Sequence, residues 1–397
     1  MSAQQEEFRA SLYALGFDVV RFVDLEKSAR DRRAERSLDT WLQAGFQADM
    51  AWMERTADKR KDPKLVLEDA RSAVLLGVNY WPGEIAQPQA RWARYALYQD
   101  YHDTLKPALE AAGKLLEKQY GVTAVDYRYY VDAGPVLERG WAERGGVGFV
   151  GKNAMVISRG FGNWLFLSEI LTRIPFRPDE PLAPKRAGAR LVEGGSADPA
   201  PVEKRVGLYC GSCTSCMTAC PTQAIREPGV VDANRCISYQ TIENKGIIPR
   251  ELRAGIGARI YGCDVCLEVC PWNRFAQESR RMLLSARYDL AELSLKDLLE
   301  LTPERFAEVF RKTPIKRTKI TGILRNACIV AANTEARECV PQLVTLASHV
   351  SAIVRAHAVW AVCRLAGDEA EKLLANARAS EADGAVLAEY SAEKFRT

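Results

Sequence analysis

CGSCTSCMTACP, from Cys210 to Pro221, sets four thiols at Cys210, Cys213, Cys216 and Cys220 and closes on a proline. This C-x2-C-x2-C-x3-C-P run is the ligand pattern of a two-cluster ferredoxin-like fold, in which three thiolates hold one cluster and the fourth reaches across to the other. Downstream, Cys236 and then Cys263, Cys266 and Cys270, again followed by proline, complete a set of eight. The crossing rule puts Cys210, Cys213, Cys216 and Cys270 around one [4Fe-4S] cluster and Cys220, Cys236, Cys263 and Cys266 around the other. Zinc is the rival metal, but its sites close with four ligands and do not call for three closely spaced cysteines ending in Cys-Pro. Cys328, Cys339 and Cys363 fall on apolar helical faces and read as small buried residues.

Outside this segment no cysteine precedes Cys210, although the chain has 11 of them in 397 residues. Such clustering suits metal binding in a reducing compartment rather than a disulfide framework. There is no basic leader followed by an apolar run, and nowhere do about 18 uncharged apolar residues occur together. A soluble, cytoplasmic, monomeric protein with no membrane association is therefore expected. The net charge of +4 is too small to identify a nucleic-acid binder, so that question falls to local charge.

The hydrophobic fraction of 47% supports two or three domains with cores of their own. The fold class expected is α+β multidomain, beginning with an α/β domain over residues 1–182. There Phe8, Leu12 and Leu15 keep helical spacing, DVVRFV from Asp18 and AVLLGVNY from Ala73 read as strands, and Leu105, Leu109, Leu115 and Leu116 mark a helix ending near Gly121. A strand over Ala124 to Val131 leads to a short helix around Val136 to Arg144. AMVIS from Ala154 and NWLFL from Asn163 read as a hairpin. A linker rich in Pro, Gly and charge spans 183–206, the ferredoxin-like domain 207–280 and a helical domain 281–397. In the last, LRNACIVAAN from Leu324 and VRAHAVWAVCRLA from Val354 resemble one another, as HEAT-like repeats or an ordinary bundle would.

VDAGPVLERGWAERGGVGFVGKN from Val131, RYALYQDYH from Arg94, CISYQTIE from Cys236 and YGCDVCLEVCPWNR from Tyr261 together resemble the epoxyqueuosine reductase family, from the N-terminal region through the cysteine segment. The resemblance implies a cobalamin-dependent enzyme, related to reductive dehalogenases, that reduces epoxyqueuosine in tRNA to queuosine in the last step of queuosine synthesis. It makes the first domain corrinoid-binding and implies an external electron donor. The sequence has no DxHxxG motif and only three histidines, His102, His349 and His357, which fits the family's base-off corrinoid without a histidine ligand.

The family's proton donor, the aspartate of VD-x-x-P-x-L-E-R, falls on Asp132. Epoxide oxygen is a poor leaving group until protonated, so a carboxylic acid must stand beside it, with a value raised by burial next to Val131 and Ala133. A capping aspartate ahead of Pro135 is the plain alternative. Arg55 in MAWMER matches a family arginine at the corrinoid, and Tyr95 lies in the RYALYQDYH match. Ser238 and Asp264, each directly after a cysteine, match positions where the ferredoxin-like domain meets the cofactor, and Lys152 and Asn153 of GKN are expected to line it.

The segment RKTPIKRTKITGILR offers Arg311, Lys312, Lys316, Arg317, Lys319 and Arg325 without one acidic residue, as phosphate binding requires; a solvated basic loop would look the same. Two other functions fit parts of the pattern. A dehalogenase-like corrinoid reductase would ignore tRNA, and an electron-transfer module would carry iron and sulfide but no corrinoid.

Overall fold

The computed structural model describes residues 2–26, 29–88, 90–180 and 206–390, so all but the last residue of the expected linker lies outside the described residues. Ser2 caps α1 (Ala3–Ala14) by accepting the backbone N–H of Gln5. All eight residues of β2 (Ser72–Asn79) are buried, as the uninterrupted apolar run requires of a central strand. β1 (Val19–Asp24) pairs with it on one side, Val19 opposite Gly77, and β4 (Leu165–Thr172) on the other, Thr172 opposite Ser72. β3 (Tyr127–Val131) joins the far edge of β4, giving the order β1-β2-β4-β3 with every pairing antiparallel.

This corrects the α/β reading of the first domain, which is α+β. The helix α2 (Tyr101–Tyr120) links β2 to β3, which run in the same direction, but the antiparallel β4 lies between them, so no parallel strand pairing forms in this sheet. The expected hairpin is corrected too. Val156–Ile157 pairs with Phe149–Val150, while β4 enters the main sheet, and only the bridge between Ser158 and Gly162 joins the two stretches. β3 starts at Tyr127 rather than Ala124, because Thr123 and Asp126 form a turn in which Asp126 accepts the Thr123 N–H.

α1 and α2 cover one face of the sheet through Phe8, Phe22, Leu76, Leu105, Leu109 and Ile170. Gly113 lets α2 approach, since a Cβ there would stand 2.5 Å from the Tyr127 hydroxyl. The opposite face packs Leu75 and Leu171 against Trp141 of α3 (Glu138–Arg144).

The cysteine segment is stitched to this unit by a parallel pairing of Arg259–Tyr261 with Arg91–Trp92. Beyond it, α4 (Lys319–Asn333) and α5 (Ala352–Ala366) pack together. Their core continues into the cysteine segment: Ile323, Ala327, Val354 and Ala358 share one buried cluster with Ile237, Ile248, Leu252 and Ile260. No described helix is long and apolar enough to cross a membrane.

Candidate active site

Cys210, Cys213, Cys216 and Cys270 wall a single cavity of about 200 Å3, together with Lys152 and Trp272. Cys220, Cys236, Cys263 and Cys266 form the second set, close enough to influence one another's ionisation. Burial pushes the Cys263 thiol up to about 12 and that of Cys266 well above its ordinary value, so ligation here must displace protons. Among the described residues no three ligating side chains converge tightly enough for a single metal ion. Thiols ringing a cavity suit a multi-iron cluster better than one zinc. Cys328 and Cys339 are buried in the helical core.

Lys152 and Asn153, expected to line the corrinoid site, stand in the wall of the first cage. The Lys152 ammonium donates to the carbonyls of Gly211 (2.8 Å) and Cys213 (2.9 Å). Asn153, 3% exposed, spends its amide N–H groups on Asn163 Oδ1 (3.0 Å) and the carbonyl of Cys266 (3.2 Å).

Asp132 follows β3 directly and adopts φ +56°, a left-handed turn that aspartate tolerates better than most residues. Its side chain is 55% exposed, so the burial expected to raise its value is not what surrounds it. What does surround it is a set of donors and acids. The Tyr101 hydroxyl donates to Asp132 Oδ2 at 2.5 Å, and His102 Nε2 stands 4.0 Å from the same oxygen. His102 Nδ1 meets Asp100 Oδ1 at 2.7 Å, while its ring stacks on Tyr101 with centroids 4.2 Å apart. Behind Asp132, the carboxyls of Glu138 and Glu169 face one another; burial raises both, followed by the charge of Asp132 for Glu138, which reaches about 7, and by that of Glu138 for Glu169.

The sequence DYH holds Asp100, Tyr101 and His102 side by side, and the motif match singled out none of the three. Three adjacent residues at a helix start were the missed signal. Glu138 is the glutamate of VD-x-x-P-x-L-E-R, whereas Glu169 gave no signal, because its approach to Glu138 depends on α3 crossing β4.

An aromatic path leads away from the acid. Tyr95 lies edge-on to Tyr101 (centroids 6.1 Å) and tilts against Tyr261 (6.1 Å), two residues before Cys263. Asp264 is half-buried, with its side chain 10% exposed; it accepts the Arg94 backbone N–H at 2.7 Å, and desolvation pushes its carboxyl up to about 6. Ser238 is half-buried at the start of the helix Ile237–Ile242. Arg55 is exposed and unpaired among the described residues. Its segment is anchored at both ends: the Asp49 N–H donates to the Tyr239 hydroxyl (3.1 Å), and Arg60 reaches the Val136 carbonyl (3.3 Å) near Asp132.

The basic segment is strapped to the same place. The Asp100 N–H donates to the Lys312 carbonyl (2.8 Å), the Tyr261 hydroxyl to that of Pro314 (2.8 Å), and Arg317 pairs with Glu243 at 3.0 Å while facing Tyr101. Arg311, Lys312, Lys316, Arg317 and Lys319 are exposed. Arg325 is not, which corrects its inclusion among phosphate contacts. It is 1% exposed and donates to the carbonyls of Gln240, Asn244 and Gly246.

Residues 209–273 match the family described as 4Fe-4S double cluster binding domain, and residues 60–133 match that described as epoxyqueuosine reductase QueG, DUF1730. The epoxyqueuosine reductase of Synechocystis sp. (strain ATCC 27184 / PCC 6803 / Kazusa) is 38% identical over 308 residues, covering 76% of this chain and 96% of that protein. The one from Escherichia coli (strain K12) is 34% identical over 357 residues, covering 88% and 86%. Among solved structures, an epoxyqueuosine reductase with a tyrosine tRNA stem loop carrying epoxyqueuosine superposes with TM-score 0.81 at 28% identity, covering 97% of this chain and 96% of that one. A Bacillus subtilis epoxyqueuosine reductase, solved with its catalytic aspartate loop swung out of the active site, superposes with TM-score 0.79 at 28% identity, covering 97% and 96%.

Proposed function

Because the chain belongs to the epoxyqueuosine reductase family, we propose that it reduces epoxyqueuosine in tRNA to queuosine, taking electrons from an external donor through two [4Fe-4S] clusters and using Asp132 as the acid. The observation that carries this reading is the meeting of three features at one place: the Tyr101–Asp132 hydrogen bond, the aromatic path through Tyr95 and Tyr261 to Cys263, and the exposed Arg317 facing Tyr101.

Cys210, Cys213, Cys216 and Cys270 would hold the outer cluster. Cys220, Cys236, Cys263 and Cys266 would hold the inner one, nearer the acid. A corrinoid, as the resemblance implies, would supply the low-potential metal centre that delivers electrons to the epoxide. The residues present suit such a cofactor. Arg55 offers free guanidinium donors for amide or phosphate groups, and Ser238, Asp264 and Tyr95 flank the inner cage. A base-off form without a histidine ligand suits them as well, since His357 is sealed in the helical core and His102 is engaged with Asp100.

The exposed Asp132 can be reached by a nucleoside held in a loop, and the Tyr101 hydroxyl fixes the direction of its carboxyl. Proton transfer from Asp132 turns the departing oxygen into a far better leaving group. Arg311, Lys312, Lys316, Arg317 and Lys319 would neutralise phosphates flanking the modified base.

The experiment is oxygen-free reconstitution with iron, sulfide, cobalamin and a one-electron reductant, followed by mass analysis of nucleosides from a stem loop carrying epoxyqueuosine. Queuosine should form, and Asp132→Asn should lower its rate at least about 100-fold with the clusters intact. No queuosine from the intact, cluster-loaded protein overturns the assignment.

A further inference from the structure

Epoxide deoxygenation consumes two electrons and two protons: both C–O bonds break, the alkene forms and the oxygen leaves as water. Asp132 carries one proton at a time, so the hydroxide left after the first transfer needs a second from elsewhere. We propose that His102, oriented by Asp100, is the group that reloads Asp132 with the second proton. This rests on Asp132 being the acid of the proposed reaction.

Asp100 opens α2, accepts the His102 backbone N–H at 3.1 Å and meets the ring Nδ1 at 2.7 Å. That contact fixes the tautomer and turns Nε2 outward, the arrangement by which a carboxylate orients a catalytic imidazole. Nε2 then faces Asp132 Oδ2 across 4.0 Å, a gap that one bridging water or a small turn of the exposed Asp132 side chain closes. In the step, the imidazolium Nε2–H bond breaks, a carboxyl O–H bond forms on Asp132, and neutral imidazole remains. The electrons are those of the external donor and take no part in this transfer.

Asp100 and Asp132 flank the His102 ring with negative charge, and Tyr101 stacks on it. Arg317 opposes them from the basic segment, facing Asp100 and Tyr101, while Glu138 and Glu169 face Asp132 from behind. The carboxyl of Asp100 lies below its ordinary value: burial alone would raise it, but the hydrogen bonds and charge of His102 outweigh burial. His102 is 24% exposed by side chain, enough to be reprotonated from solvent between turnovers.

The test is steady-state reduction of the epoxyqueuosine stem loop by reconstituted full-length protein. His102→Gln should lower kcat about 100-fold with KM changed less than about twofold. The unaltered protein should slow as pH rises from about 6 to about 8, where imidazoles lose their proton. His102→Gln should lose that descending limb, and added imidazole should restore part of its rate. Equal kcat for the two proteins, or a loss that imidazole does not relieve at any pH, overturns the relay. Asp132→Asn runs alongside with cluster absorbance and stem-loop affinity as folding controls: full activity there overturns the acid assignment itself, whereas an inactive Asp132→Asn beside an unaffected His102→Gln overturns only the relay.

Discussion

Six basic residues between Arg311 and Arg325 look alike as letters, yet their surroundings divide them. Arg325 sits on the inward side of α4, where its guanidinium replaces water for three backbone carbonyls. Charge was legible in the sequence and burial was not, because it depends on which face of a small-residue helix meets the cysteine segment. The two kinds of arginine should fail differently. Arg325→Met strands those carbonyls and should cost about 3 kcal/mol or more in denaturant unfolding, whereas Lys316→Ala should leave unfolding unchanged. Stem-loop binding by Lys316→Ala should instead weaken severalfold, with the slope of log affinity against log salt shallower by about one. A salt slope equal to that of the parent protein would remove Lys316 from the interface.

At the scale of elements, periodicity located α1, α2 and three sheet strands, because an apolar stripe or run is a local property. Strand pairing was misread where partners are distant: β4 lies between β2 and β3 rather than against the preceding stretch Val156–Ile157, since β2 and β3 run in the same direction and an antiparallel strand between them pairs with both. One consequence is the buried meeting of Glu138, at the start of α3, with Glu169 in β4, which is 2% exposed. Burial, and then the charge of Asp132, raise Glu138 from 4.5 to about 7. A raised folded value means that the unfolded chain releases this proton first. Stability is therefore full below about pH 4.5, falls as pH climbs and levels off above about 7. Melting temperatures between those limits should decline, and Glu138→Gln, which cannot ionise, should flatten the decline. An unchanged slope in that variant would show that the Glu138 proton is lost equally readily by folded and unfolded chains.

Over the whole molecule, the eight cysteines and Asp132 stand out in the sequence because they sit in contiguous motifs, whereas the boundary drawn near Arg280 followed composition alone. The buried cluster crosses it: Leu252 and Ile256 before, Ile323 and Val354 after. So does an ion pair sealed from water, in which Arg253, 0% exposed by side chain, donates to Glu389 (2.8 Å) near the end of the described chain while packing over Trp360. Removing one partner of such a pair leaves an uncompensated charge and costs about 3–5 kcal/mol. Cluster binding and the helical tail should consequently melt together. In Glu389→Ala, bleaching of the iron-sulfur absorbance and loss of helical circular dichroism should move down in temperature by the same amount and stay superimposed. If the helical signal fell early while the clusters held to the parent's temperature, the tail would be an independent domain.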